Sequence, residues 1–196
     1  MKCCNRRTFL KAFGLSAAGA VFPPKWLFGR VTGNSAGRPN LVFVFGDQWR
    51  AQATGYAGNN QVKTPHLDAF AKEAVNFPNA VSSCPVCCPY RASLLTGQYP
   101  LKHGVLINDV ALDKSAVSIA DVYKQAGYDT AYIGKWHLNG HARTGYIPPD
   151  ERQGFDSWLA LGCTHNYNHS LYYAQDSRDK KVWEGYDAIA QTQAAK

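Results

Sequence analysis

Residues 41–45, Leu-Val-Phe-Val-Phe, form an unbroken run of strand-forming apolar side chains between Pro39 and Gly46. A strand with one wet face alternates apolar and polar residues. A run without alternation predicts a strand covered on both faces, as in a parallel sheet between helical layers. Thr64-Pro65 then opens a predicted helix carrying Leu67, Phe70, Ala71 and Ala74 on one face. Phe77–Val81 is a short strand candidate, Pro89–Leu95 has helical spacing with Gly97 placed to end it, and Ser118–Gln125 is a further helix stopped by Gly127. Thr130–Ile133 reads as a strand, with Gly134 starting a turn. Strand and helix signals alternate, which predicts a layered α/β fold, and 196 residues suffice for one sizeable core. From Gly154 to Lys196 the pattern is aromatic, polar and less periodic.

A net charge of +7 invites a nucleic-acid reading, but the charge is not spread along the chain. Lys2, Arg6, Arg7, Lys11, Lys25, Arg30 and Arg38 all precede the first acidic residue, Asp47, and the remaining 14 basic residues balance the 14 acidic ones. No basic groove follows, so nucleic acid is not an expected partner. The basic start is followed by a moderately apolar stretch from Phe9 to Phe22 with small residues near its end. That is the build of a secretory signal, too short for a stable membrane span in a mature protein. Asn5-Arg6-Arg7-Thr8-Phe9-Leu10-Lys11 resembles a twin-arginine export signal. The expected organisation is a signal over residues 1–30 with a cleavage site near Ala18-Gly19-Ala20, a linker over 31–38, and a domain over 39–196. The expected partner is a twin-arginine translocase, and the expected location is the periplasm or exterior of a bacterium.

Three of the six cysteines, Cys84, Cys87 and Cys88, lie within five positions just before the predicted helix of residues 89–95. Cys84-Pro85-Val86-Cys87 has the spacing of a redox pair, and a helix N-terminus would lower a thiol pKa there. A zinc site needs a second pair of soft ligands, and Cys163, His165 and His169 do not make one at knuckle spacing. A nucleophile reading remains, with Arg91 one turn beyond Cys87 on the same helix face.

Cys87-x-Pro89-x-Arg91 followed by Leu95-Thr96-Gly97 resembles the signature of the type I sulfatases, members of the alkaline-phosphatase-like superfamily. The resemblance extends in order through "RPNLVFVFGDQ", "TPHLDAFAKEAVNFPNA", "GYDTAYIGKWHL" and "GFDSW". It implies a three-layer α/β/α sandwich with a mostly parallel central sheet, incomplete in this chain. It also implies that a formylglycine-generating maturation enzyme oxidises Cys87 to formylglycine, leaving Cys84 and Cys88 as incidental small side chains. The implied reaction is hydrolysis of an aryl or carbohydrate sulfate ester. A phosphonate or phosphate ester hydrolase of the same superfamily, or an inactive truncated remnant, are the alternatives.

The same resemblance assigns roles residue by residue. Asp47, Gln48 and residue 87 bind a divalent cation, usually calcium, although Gln48 stands where many members have Asp. Arg91 holds the nucleophile or an oxyanion, Lys135 binds a sulfate oxygen, and His137 is a hydrogen-bond partner of the nucleophile or a proton donor. His165 is a weaker candidate for substrate contact and His169 weaker still. His66, His103 and His141 read as structural or exposed. Tyr90 occupies a place where Ser is usual, which bears on how readily Cys87 is converted. The family's second pair of metal ligands and second substrate lysine have no counterpart after Trp183, where Asp187 is followed by Ala188.

Overall fold

A computed structural model of the chain describes residues 37–196. The expected export signal, its expected cleavage site and most of the expected linker therefore lie outside the described residues. By their contacts the residues fall into two units, 1–45 and 46–196.

In the first unit, residues 37–45 form neither helix nor strand. The strand expected at Leu41–Phe45 is thus not seen. Leu41, Val42, Phe43 and Val44 are exposed, and the rings of Phe43 and Phe45 lie 5.7 Å apart. An apolar run of high β-propensity becomes a strand only where a neighbour pairs with it in a ladder, and residues 37–45 join no ladder among the described residues.

The second unit is built on a four-stranded sheet in the order β1-β2-β3-β4: β1 (Ala131–Lys135), β2 (Ser157–Leu161), β3 (Leu171–Ala174) and β4 (Lys181–Val182). β1 and β2 are parallel, with Tyr132 opposite Trp158, whereas β2–β3 and β3–β4 are antiparallel. Five helices accompany them: α1 (Pro65–Glu73), α2 (Cys87–Thr96), α3 (Pro100–His103), α4 (Ile119–Gln125) and α5 (Asp187–Ala194). The mixed sheet with flanking helices is the α/β class expected. Gly134 belongs to β1 rather than to a turn, at φ 109°. Its missing side chain admits Gln191 of α5, whose Oε1 would lie 3.1 Å from a Cβ there.

The core joins α2 to β1 and β2. Cys88, Ala92 and Leu95 form one stripe of α2 at i, i+4 and i+7, buried against Trp136, Leu138, Ile147 and Trp158. Tyr132 and Trp136 meet edge to face at 4.9 Å, Trp136 and Trp158 at 5.1 Å, and Tyr132 stacks on Trp158 at 5.4 Å. Each such pair adds about 0.5–1.5 kcal/mol beyond its area burial, so this cluster does much to fix β1 against β2. α2 ends at Gly97, which takes φ 66° and returns its N–H to the Ser93 carbonyl. α4 begins at Ser118 with a reciprocal cap: the Ser118 hydroxyl accepts from Ala120 and Asp121, and the Asp121 carboxylate accepts from the Ser118 N–H. By contrast, α1 buries no residue, and Phe77–Val81 forms no strand.

Candidate active site

The helical period gives α2 a second stripe beside its core stripe: Cys87 and Arg91 stand four apart at its N-terminal end. Arg91 is 5% exposed. One guanidinium nitrogen donates to the Tyr132 hydroxyl at 2.9 Å and to the Lys135 carbonyl, and the other donates to Asp47 Oδ2 at 2.7 Å. The Tyr132 hydroxyl donates to the same Lys135 carbonyl. The end of β1 is therefore tied to the first turns of α2 by one buried arginine.

Lys135 is the last residue of β1, and its ammonium closes the cluster. Nζ lies 3.3 Å from Cys87 Sγ and 3.1 Å from Asp47 Oδ2. Asp47, in the Gly46-Asp47-Gln48 turn, places Oδ1 3.8 Å from the same sulfur. Two cations thus flank one carboxylate beside the Cys87 side chain. Partial burial pushes the Asp47 carboxyl up, but hydrogen bonds from Arg91 and Lys135 outweigh it and hold Asp47 below its ordinary 3.8. Burial likewise pulls Lys135 down, and Asp47 and Cys87 more than reverse this, so the ammonium stays charged.

A third group adjoins the same helix end. The Cys88 N–H donates to Asn108 Oδ1 at 3.0 Å, and the Asp109 N–H donates to Cys88 Sγ at 3.3 Å. The 108–109 loop is thereby seated on the first turn of α2. Asp109 meets His137 Nε2 at 3.1 Å through Oδ1, and Arg143 grips both of its oxygens. Hydrogen bonds from Arg143 and His137 keep the Asp109 carboxyl well below the usual carboxylate range. Burial lowers the His137 pKa, with the Asp109 hydrogen bond opposing.

Of the residues singled out from sequence, Asp47, Cys87, Arg91 and Lys135 come together in one cluster, and His137 joins it through the loop on α2. Gln48 and His165 are exposed, His165 in the loop between β2 and β3, and neither takes part in the contacts above. Cys84, Cys87, Cys88 and Cys163 are free thiols. Cys88 is fully buried and serves as core and acceptor. Sequence reasoning missed Tyr132, Asp109 and Arg143. Tyr132 was legible only as a strand residue, and "NDV" carries no signal that Asp109 turns back onto a histidine 28 residues away. Among the other histidines, His103 accepts the Val105 N–H at Nδ1, so Nε2 carries the proton and donates to Ser93 Oγ at 2.9 Å. Ser93 is therefore not activated by a base.

The described residues supply little for a metal. Asp47 and Gln48 offer oxygen donors of the right chemistry, but Asp47 is already paired with two cations. No group of three or more His, Cys, Asp or Glu side chains converges among the described residues. A hard cation such as calcium takes about six to eight oxygens. The donor set present does not make up such a site by itself.

A side chain with nucleophile chemistry at a helix N-terminus, beside fixed cations, is equipment for a reaction on an anionic ester. The family is Sulfatase, whose profile matches residues 39–196, and the chain belongs to it. It is 55% identical over 153 residues to the ulvan-active sulfatase of Formosa agariphila, covering 78% of this chain and 30% of that protein. It is 33% identical to an endo-4-O-sulfatase of Bacteroides thetaiotaomicron, covering 76% and 36%. Among solved structures, the yidJ protein of Bacteroides fragilis superposes with a TM-score of 0.71 at 35% identity, covering 79% of this chain and 39% of that one. Another, solved with its substrate D-glucosamine-2-N,6-O-disulfate, gives 0.63 at 31% identity, covering 74% and 27%. The chain spans about a third of the length of these relatives.

Proposed function

We propose that this chain carries the nucleophile half of a site that hydrolyses a sulfate ester on a carbohydrate. The observation that carries the proposal is the Cys87 side chain lying 3.3 Å from the Lys135 ammonium and one helical turn from Arg91. The sugar assignment is supported by a relative named for ulvan and by a similar structure solved with a glucosamine disulfate as its substrate. Formylglycine at position 87, made by a maturation enzyme and hydrated, would supply a hydroxyl nucleophile that a thiol does not. Lys135 neutralises a sulfate oxygen as the ester approaches. Arg91 keeps the α2 end and the β1 end in register, so that the charges are in place before substrate arrives. His137 exchanges a proton with the group at position 87, and His165 reaches substrate from the 162–170 loop. A divalent cation, calcium by family habit, would take Asp47, Gln48 and residue 87 as part of its shell, the remaining donors coming from outside the described residues. Export through the twin-arginine route to the periplasm or beyond fits the basic leader and a sulfated glycan substrate. No described helix is long and apolar enough to cross a membrane.

Sulfate release from a sulfated sugar tests the proposal, using a protein that carries this chain followed by the relatives' remaining length. Cys87→Ala should eliminate turnover, and Lys135→Ala should lower kcat/KM by about 10²–10³-fold, the scale of losing one fixed charge-stabilising donor. Turnover indifferent to Cys87→Ala would overturn the assignment.

A further inference from the structure

His137 is 2% exposed, and only one of its ring nitrogens is accounted for. Nε2 faces Asp109 Oδ1 at 3.1 Å, while Nδ1 is buried without a hydrogen-bond partner among the described residues. An ionised carboxylate can only accept, so in the neutral imidazole the shared proton belongs to Nε2. Arg143 keeps that carboxylate ionised and aimed, with Nε at 2.8 Å from the oxygen that His137 uses and a second nitrogen on the other. Arg143 is itself anchored. Its carbonyl accepts the Cys163 N–H at 2.6 Å, an approach that only glycine at 162 permits, because a Cβ there would sit 2.6 Å from that oxygen. Both members of the pair also hold positive φ, 63° at Asp109 and 55° at His137, a left-handed backbone uncommon for non-glycine residues. The Asp109 N–H fixes the other side of the loop to Cys88 Sγ, one residue from the nucleophile position.

We propose that Asp109, braced by Arg143, is a positioning residue for His137: it engages the Nε2 proton and so leaves the imidazole lone pair on Nδ1. Asp109 does not touch the reacting atoms. It decides which nitrogen of His137 is the acceptor, and which way the ring faces. What the lone pair then accepts rests on the function proposed above, where it would take a proton from the group at position 87. This assignment makes neutral His137 a base rather than a proton donor. The other charged groups around the ring are Lys135 and Arg143, both cations, and neither competes for the Nε2 proton.

Long-range ¹⁵N–¹H spectra of histidine-labelled 196-residue chain read the tautomer directly and require no turnover. His137, identified by the signal lost in His137→Gln, should show one neutral tautomer, protonated on Nε2, with that proton resolved against solvent exchange. Asp109→Gly removes the carboxylate while tolerating φ 63°, and should lose the resolved Nε2 proton. Arg143→Gln leaves the acceptor and should keep the tautomer. A proton on Nδ1, averaged tautomers in the parent chain, or an Asp109→Gly spectrum like the parent's would overturn the proposal. A locked Nε2 proton, alongside sulfate release by the extended protein that is indifferent to Cys87→Ala, would instead leave this device standing and count against the proposed function.

Discussion

Arg91 is the residue on which the site's geometry turns. Its replacement by Ala leaves Lys135 as the one cation on Asp47 among the described residues, removes the donor to the Tyr132 hydroxyl, and leaves the Lys135 carbonyl with the Tyr132 hydroxyl but without the guanidinium. Removing one partner of a buried pair costs about 3–5 kcal/mol; here the cost should be nearer about 2 kcal/mol, because the Asp47 side chain keeps 41% of its exposure. Urea denaturation of Arg91→Ala against the parent measures it, and a loss below about 0.5 kcal/mol would show the link to be idle. His137 gives a pH signature. Its folded pKa lies below its ordinary 6.5, because burial disfavours the charged ring, so the unfolded chain binds the extra proton first. The stability it contributes is complete above pH 6.5 and falls as pH drops from there toward the folded pKa. His103 is shifted the same way, again chiefly by burial, so His137→Gln should shrink the loss of stability between pH 7 and 5 without erasing it. An unchanged slope in that variant would contradict the burial argument.

Among the elements, α2 and α4 were legible in the sequence and the later strands were not. Gly97 and Ser118 are terminator and cap by local chemistry alone, and both behave as such. Ser118→Ala removes the acceptor for two helix N–H groups and a hydroxyl that donates to the Gln153 carbonyl at 2.6 Å. It should cost about 1–2 kcal/mol, read as a drop in the thermal midpoint; a change within about 0.3 kcal/mol would mean the cap is dispensable. β2 and β3 span only five and four residues, and their burial arises from Trp158 and Tyr173 meeting distant partners, which no local period reveals. The Leu41–Phe45 run shows the reverse case: strong strand propensity, but no ladder among the described residues, because a strand is a property of a pair. In the candidate site, Cys87 and Arg91 could be read as neighbours one helical turn apart, whereas the roles of Cys87, Arg91, Lys135 and His137 come from the family resemblance. Asp109 and Arg143 could be read from neither, because loop geometry alone brings them to His137.

At the scale of the molecule, the chain spans about a third of the relatives it matches and shows large exposed apolar side chains, Phe70, Phe77, Val81 and Leu101 among them. With one carboxylate and one carboxamide as candidate metal donors, the 196-residue chain alone should bind calcium weakly and turn over no sulfate ester, even with formylglycine installed. Calorimetry with calcium and a sulfate-release assay check this, and Asp47-dependent turnover by the chain alone would refute it. The central claim, that position 87 is the nucleophile, can be tested without turnover. Coexpression with a formylglycine-generating enzyme, hydrazide capture and fragmentation mass spectrometry of the peptide spanning Cys84–Arg91 should place a single aldehyde at residue 87. An aldehyde at 84 or 88, or a thiol retained at 87 under conditions that convert a known sulfatase, would contradict it.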